Sequence, residues 1–318
     1  MIEIREEVIK AEDRIRNFIR ETPINYSTYL SREGSCEVFL KLENLQITGA
    51  FKLRGAANKL LSLSEDEKRS GVVTASSGNH GCATAYMMRK IGIDGEIFLP
   101  ENVSRTKLEA LRLYGAKIKF HGDDCVKTET FARESARKSG RIFIPPYNDL
   151  MIVSGQGTIG FELEKELENI DVVLAAVGGG GLISGIGGYL KSQKRDVRII
   201  GCQPENSAVM YESIKAGKVV DIESKTTLSD GTAGGIEEGS ITFDLCKEFV
   251  DDFILVTEDE IRDAILVILE REHLLIEGAA ALTVASFLKF RDRWNGMRVV
   301  LIISGGNIGI DRLKSIIC

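Results

Sequence analysis

No stretch of this chain is long and apolar enough to span a bilayer, and the N-terminus, MIEIREEVIKAEDRIRNFIR, shows a charged amphipathic pattern where a signal peptide would have an apolar core. Both absences predict a cytoplasmic protein with no membrane partner. The six cysteines (Cys36, Cys82, Cys125, Cys202, Cys246 and Cys318) include no C-x-x-C pair, so they are expected as reduced thiols rather than a disulfide frame or zinc site. His80, His121 and His273 have no ligand spacing, and no metal is expected on them. A net charge of −6 gives no electrostatic case for nucleic acid. No G-x-S-x-G elbow occurs, which counts against a serine hydrolase, and there is no internal repeat or low-complexity segment.

Glycine, by contrast, is plentiful: 32 of 318 residues, against an average of roughly 7%. Much of it clusters where strands should end. The strongest cluster lies in Val172 to Gly188, VVLAAVGGGGLISGIGG. An apolar run of strand length is followed by four glycines, Gly178, Gly179, Gly180 and Gly181, and then by a helix opened by Leu182. Strand, glycine loop and helix start make an anion cradle, because the loop can aim several N–H groups inward and the helix adds its partial positive charge. The loop is neither G-x-G-x-x-G nor G-x-x-x-x-G-K-[ST], and no lysine follows it. That argues against a nicotinamide dinucleotide and against ATP.

Apolar periodicity places helices over residues 4–19, from near Phe51, up to Ile91, before Gly115, over 123–138, 155–168, 206–216, 257–271 and 278–290. Strands are expected at 38–42, 72–75, 96–99, 117–120, 142–144, 172–177, 198–203, 253–256 and 299–303. Their alternation predicts an α/β protein of doubly wound parallel layers. The block 46–145 has its own βα series between proline- or glycine-marked joints. It is expected as a small domain inserted into a large one built from 1–45 and 146–318. Ligands in such sheets bind beyond the carboxyl ends of strands. Three polar, glycine-rich loops occupy such ends, 76–81, 178–181 and 304–307, and should face one crevice.

Lys52 stands out among the basic residues. It sits where a loop enters a helix beside the aromatic Phe51, a place where the helix dipole lowers a lysine's pKa. A neutral amine is what Schiff-base chemistry requires. Joined to a phosphate loop that matches no nucleotide pattern, it points to an aldehyde cofactor with a phosphate tail, and pyridoxal phosphate fits. Ser76 and Ser77 follow a strand and lie near a helix start with Asn79 and His80. They read either as a cap and turn or as a carboxylate pocket of hydroxyls and N–H groups with a serine as proton donor. Ser304 is either a turn residue or a hydroxyl facing a ring nitrogen.

Phe51-Lys52-Leu53-Arg54-Gly55-Ala56, Ser76-Ser77-Gly78-Asn79-His80-Gly81, Gly155-Gln156-Gly157-Thr158, the tetraglycine loop and Ser304-Gly305-Gly306-Asn307 run in that order across nearly the whole chain. In this the chain resembles the fold-type II pyridoxal-phosphate enzymes, and within them the threonine/serine dehydratase and serine racemase group. The resemblance implies two doubly wound α/β domains of the tryptophan synthase β-like kind, with pyridoxal 5'-phosphate as cofactor. It implies that Lys52 carries the cofactor as a Schiff base and acts as catalytic base. Gly178 to Gly181 would bind the phosphate, with Phe51 and Leu182 beside the cofactor, Asn79 at the ring hydroxyl and Ser304 at the pyridine nitrogen. A serine at that nitrogen favours β-elimination over transamination. Ser76, Ser77, Asn79 and His80 would hold the carboxylate of a small amino-acid substrate. Related enzymes are often homodimers, and a homodimer is expected.

The implied reaction is dehydration and deamination of a β-hydroxy amino acid, L-threonine or L-serine, to a 2-oxo acid and ammonia. No side-chain acid is at hand for the leaving hydroxyl, which assigns that proton to the cofactor phosphate. Ser77 matches the second acid/base of serine racemases, so racemisation is the alternative activity. Other 3-hydroxy substrates, such as 3-hydroxyaspartate, phenylserine or a hydroxyectoine-pathway intermediate, are further alternatives, and a cofactor sensor or carrier is the non-catalytic one. The chain departs from the pattern in places. Gln203, Ser207 and Val209 stand where relatives hold a divalent cation, so no metal is expected there. After Asp230-Gly231-Thr232-Ala233, the segment Gly234-Gly235-Ile236 replaces the usual continuation. A chain ending soon after Asn307 is expected to lack the regulatory domain of biosynthetic threonine dehydratases, and with it isoleucine feedback.

Overall fold

Two sheets carry the chain, and the computed structural model describes residues 3–192 and 196–317 of it. Helix α1 (Ile4–Ile15) leads to strand β1 (Ile24–Tyr26), α2 (Thr28–Gly34) and β2 (Glu37–Lys41). A second block runs α3 (Lys52–Leu61), α4 (Glu65–Ser70), β3 (Val72–Ala75), α5 (Asn79–Ile91), β4 (Gly95–Leu99), α6 (Arg105–Leu113), β5 (Ile118–Phe120), α7 (Cys125–Ser139) and β6 (Ile142–Phe143). The chain returns through α8 (Leu150–Glu166), β7 (Val172–Ala176), α9 (Gly181–Lys191), β8 (Arg198–Pro204) and α10 (Val209–Ala216). A long connection then precedes α11 (Ile241–Phe249), β9 (Asp252–Val256), α12 (Glu258–Val267), α13 (Gly278–Lys289), β10 (Arg298–Ile302) and α14 (Ile310–Ile317).

The larger sheet has the order β1-β2-β10-β7-β8-β9 and the smaller β5-β4-β3-β6. Side-chain alternation explains why both faces are covered. On β7, Val172, Leu174 and Ala176 enter a core shared with Ile261 and Ala264 of α12 and Leu282 of α13. Val173 and Ala175 point the other way, to Val8 of α1, Ile159 of α8 and Ile183 of α9. The smaller sheet repeats the arrangement, with Val72 and Ile97 facing α3 and α5 while Val73 and Phe98 face α7.

Local signals place most elements. Ser104 caps α6 by accepting from the Lys107 N–H, and Thr257 and Glu260 form the expected capping box at α12. A second such box, Ser64 with Glu67, starts α4, which periodicity did not reveal because the helix buries none of its residues. Two expectations need correction. Strand β1 pairs with β2 antiparallel, so the larger sheet is not wholly parallel. Only residues 27–36 separate the two strands, whereas a parallel crossover needs about a dozen or more. Helix α8 starts at Leu150 rather than at 155. The Asp149 carboxylate caps it by accepting from Met151 N–H (2.8 Å) and Ile152 N–H (3.2 Å). Its first turns are buried on nearly all sides, which erases the amphipathic period that marks a helix in sequence. Cys36, Cys82, Cys202 and Cys246 are free thiols. Cys318 lies outside the described residues.

Candidate active site

The chain is steered into Lys52 by the end of β10. The Phe51 N–H donates to the Ser304 carbonyl (3.0 Å), and Ala50 bridges to Gly305. Helix α3 therefore begins beside the loop that follows the central strand. The Lys52 ammonium donates to the Pro146 carbonyl (2.7 Å). Burial lowers its pKa to about 8, with the Glu277 charge opposing that shift in part. An amine so placed is substantially neutral at mildly alkaline pH.

Two residues on, Arg54 anchors the helix from beneath. It is fully buried and binds Glu43 through Nε (2.8 Å) and Glu162 through Nη1 (2.8 Å) and Nη2 (2.8 Å). Lys41 adds a buried contact to Glu162 (2.5 Å), and Arg16 reaches the same carboxylate (2.9 Å). Burial pushes Glu162 up, but Arg54 and Lys41 outweigh it and hold the carboxyl down at about 2. The Gly155-Gln156-Gly157-Thr158 motif belongs to this foundation. A Cβ on Gly155 would lie 2.6 Å from the Arg54 carbonyl, so glycine is what lets α8 approach α3. Gln156 accepts from the Gly55 N–H (3.2 Å), and Thr158 accepts from Arg54 (3.1 Å).

The glycine loop turns as the sequence predicts. Gly180 sits at φ +85°, and a Cβ there would meet the Cys246 Sγ at 2.7 Å and the Met210 Cε at 2.9 Å. That combination admits glycine alone. The first hydrogen bond of α9 is Ser184 N–H to the Gly180 carbonyl. The N–H groups of Gly181, Leu182 and Ile183 are thus free to meet an anion. Tyr147 lies against Gly179, and Thr242 donates to the Gly179 carbonyl (2.6 Å). Because Pro146 holds the Lys52 amine and Tyr147 walls the loop, one dipeptide joins the two halves of the site.

Beyond β3, Ser76 Oγ accepts from the Gly78 N–H (3.3 Å), and Ser77 makes no side-chain hydrogen bond to the described residues. Asn79, His80 and Gly81 form the first turn of α5. The His80 side chain turns away from the mouth of α5 toward the end of β6. Its ring is buried, with Nε2 at 3.1 Å from the Ile144 carbonyl, and burial together with the Lys52 charge pushes it down to about 3. It is a neutral donor to that carbonyl, which leaves only the main-chain N–H of His80 facing the helix mouth. Asn79 donates through Nδ2 to both oxygens of Glu277 (2.8 and 3.1 Å) and accepts through Oδ1 from Asn307 (2.7 Å). The loops after β3 and β10 are thereby joined directly. Ser304 is 2% exposed, and its hydroxyl has no hydrogen bond to the described residues.

The structure therefore brings together Phe51, Lys52, Ser76, Ser77, Asn79, Gly178 to Gly181, Leu182 and Ser304. It also supplies groups that sequence reasoning missed: Glu277, Tyr147 and the Glu43–Arg54–Glu162 cluster. For Glu277 there was a faint signal, a glutamate at the N-cap position of α13, where serine, threonine, aspartate or asparagine is usual. Gln203 spans two backbone groups, donating to the Val177 carbonyl (3.0 Å) and accepting from the Tyr211 N–H (2.8 Å). No group of three or more His, Cys, Asp or Glu suited to a metal ion occurs among the described residues.

A phosphate-tailed aldehyde fits these residues. The amine is held below the usual lysine range, the first turn of α9 offers N–H groups with no intrahelical partner, and the Ser304 hydroxyl has no hydrogen bond to the described residues. Comparison with known proteins agrees. The family described as "Pyridoxal-phosphate dependent enzyme" matches residues 15–305. The catabolic L-threonine dehydratase TdcB of Escherichia coli K12 is 40% identical over 313 residues, covering 98% of this chain and 95% of that protein. The L-threonine ammonia-lyase of Thermotoga maritima is 40% identical over 312 residues, covering 98% of this chain and 77% of its own length. Among solved structures, maize serine racemase superposes with a TM-score of 0.93 at 30% identity, covering 98% of this chain and 95% of that one. Threonine deaminase isoform 2 of Solanum lycopersicum, in its processed form, also gives 0.93 at 30% identity, covering 99% and 92%.

Proposed function

The chain belongs to the pyridoxal-phosphate dependent enzyme family, and from that premise we propose that it is an ammonia-lyase acting on a β-hydroxy amino acid, L-threonine or L-serine. Water leaves across Cα and Cβ, and hydrolysis of the resulting enamine gives a 2-oxo acid and ammonia. The observation that carries this reading is Lys52, an amine with a pKa of about 8 between the glycine loop and the mouth of α5. Pyridoxal phosphate, when bound, supplies an electron sink for the charge left at Cα. Lys52 and the N–H groups of Gly181 and Leu182 would hold it, with Asn79 and Ser304 at its ring and Phe51 alongside.

The chain's own groups then divide the work. Ser76, Ser77 and the N–H groups of Asn79, His80 and Gly81 hold the substrate carboxylate at a helix N-terminus. That grip aims Cα at Lys52, whose neutral Nζ takes the Cα proton. Tyr147 and the buried His80 ring close the walls and keep bulk water from the amine. The four-stranded sheet, drawn from residues 72–143, supports treating 46–145 as a small domain set into a large one of 1–45 and 146–318. A homodimer in the cytoplasm belongs to the same reading; the free thiols fit a reducing compartment, and light scattering checks the oligomeric state.

The test is visible absorbance of the purified protein before and after L-threonine, L-serine and D-serine, with released 2-oxo acid measured alongside. A yellow protein that releases 2-oxobutyrate or pyruvate is expected, and Lys52→Ala should abolish turnover. Near-normal turnover in that variant, or a protein that stays colourless with added pyridoxal phosphate, would refute the reading. One observation favours a second activity. The Ser77 hydroxyl is half-buried and makes no hydrogen bond to the described residues, as suits an acid/base for racemisation, and D-serine formed from L-serine would reveal it.

A further inference from the structure

Glu277 is the least expected group in this crevice. It is a carboxyl with 7% exposure placed where three loops meet. Both its oxygens accept from Asn79, and Oε1 packs so closely on Gly305 that a Cβ there would lie 2.5 Å away. Its own N–H donates to the Gly305 carbonyl (3.0 Å), and Oε1 also lies near Gly231. Such a group costs stability unless ionisation or hydrogen bonding is put to use.

We propose that Glu277 is a proton-carrying positioning residue of this site: ionised, it fixes the Asn79 amide and retains the Lys52 ammonium by charge, and protonated it releases both. The inference rests on Lys52 as the reactive amine of the proposed function. The charged and polar groups facing Glu277 are few. Asn79 comes from α5, Lys52 from α3, Lys107 from α6, Asp230 from the long connection and the Asn307 N–H from the loop after β10. Burial raises the carboxyl to about 7, with Asp230 adding repulsion, while Asn79, the Asn307 N–H and Lys107 pull the other way. The two titrations are therefore adjacent, Glu277 near 7 and Lys52 near 8. As pH rises through 7 the new carboxylate charge makes Lys52 hold its proton more firmly, so the amine is freed at higher pH and over a broader range. Asn79 is gripped by a charge-assisted bond only in that range. Its Oδ1 is meanwhile committed to Asn307, which fixes which end of the amide faces the ligand.

The variant Glu277→Gln separates charge from shape, since the new amide oxygen can still accept from Asn79. The first readout is the pH dependence of Lys52 acetylation by acetic anhydride in the full chain free of cofactor, followed by peptide mass spectrometry. The midpoint should fall by about half a pH unit or more in the variant, the effect of removing one nearby charge from a desolvated amine. The second is the visible spectrum of the loaded enzyme, whose titration near pH 7 should vanish in the variant. Coincident acetylation midpoints would overturn the inference. Should Glu277→Gln fail to fold, the surface variant Asp230→Asn decides. It removes a repelling charge, so the spectral titration should move to lower pH by about 0.3 unit, and an unmoved titration would overturn the inference. Acetylation reads Lys52 without cofactor or turnover. A chain that never takes up pyridoxal phosphate would thus sink the proposed function alone, and an active enzyme with coincident midpoints would sink this inference alone.

Discussion

Replacing Arg54 with methionine should cost stability because the two carboxylates that it neutralises stay behind. The guanidinium makes paired contacts of 2.8 Å to Glu43 and to Glu162, and all three side chains are fully buried. Breaking a buried pair by deleting one partner costs about 3–5 kcal/mol. The two ends fare differently. Glu162 keeps Lys41 (2.5 Å) and Arg16 (2.9 Å), whereas among the described residues Glu43 keeps only the Thr22 hydroxyl (2.5 Å). One orphaned carboxylate rather than two puts the expected loss at the lower end, about 3 kcal/mol. At roughly 2 °C per kcal/mol for a chain of this size, the melting temperature should fall by about 6 °C. The sign of its pH dependence is fixed by the same contacts. In the parent, Glu162 is held at about 2 against an ordinary 4.5, so its stabilisation is full above 4.5 and is lost as pH falls toward 2. Lowering pH from 8 to 5 should leave the gap between parent and variant nearly unchanged, and the gap should narrow as pH falls from 4.5 toward 2 and the Glu162 contribution is lost. Differential scanning fluorimetry at matched ionic strength measures both quantities. A variant as stable as the parent at pH 8, or a gap that does not narrow below pH 4.5, would refute the reasoning.

Two further outcomes follow from the site itself. Gly180→Ala forces φ +85° on a residue with a Cβ and presses it 2.7 Å from the Cys246 Sγ, at a cost of about 1–3 kcal/mol. Pyridoxal phosphate should then bind about tenfold or more weakly in an absorbance titration, and unchanged affinity would show that the loop does not carry the phosphate. Ser77→Ala should depress D-serine formation from L-serine by about a hundredfold, the usual worth of an acid/base, while 2-oxo acid release stays within about threefold. Parallel losses of both activities would leave Ser77 only its share in holding the carboxylate and remove the acid/base role.

Much of this protein is decided locally, and those parts can be read from sequence. A tetraglycine turn between a buried strand and an apolar helix can adopt positive φ and admit close neighbours, which marks Gly178 to Gly181 as a candidate anion loop. Lysine at the first position of a helix feels the dipole whatever lies opposite. Capping residues such as Ser104 and Thr257 act within three residues of themselves. Alternating strands and helices likewise dictate layered α/β packing. Other features exist only because distant residues meet. Asn79 and Glu277 are 198 positions apart, and Arg54 and Glu162 are 108. Nothing local marks Glu277 as a buried acid, since a glutamate before a helix is ordinarily solvated. Gly155 reads as an ordinary residue of the helix expected at 155–168 until α8 is laid against α3, and only the fold brings the His80 ring to the Ile144 carbonyl. Burial sets the ionisation of Lys52 and Glu277, the charges of Arg54 and Lys41 set that of Glu162, and both are properties of the assembled layers. The sequence alone could single out Lys52 and the glycine loop as candidates, because short-range sterics and dipoles mark them. Which groups tune that amine, and which hold its helix in place, only the tertiary structure decided, because desolvation and charge pairing act through space.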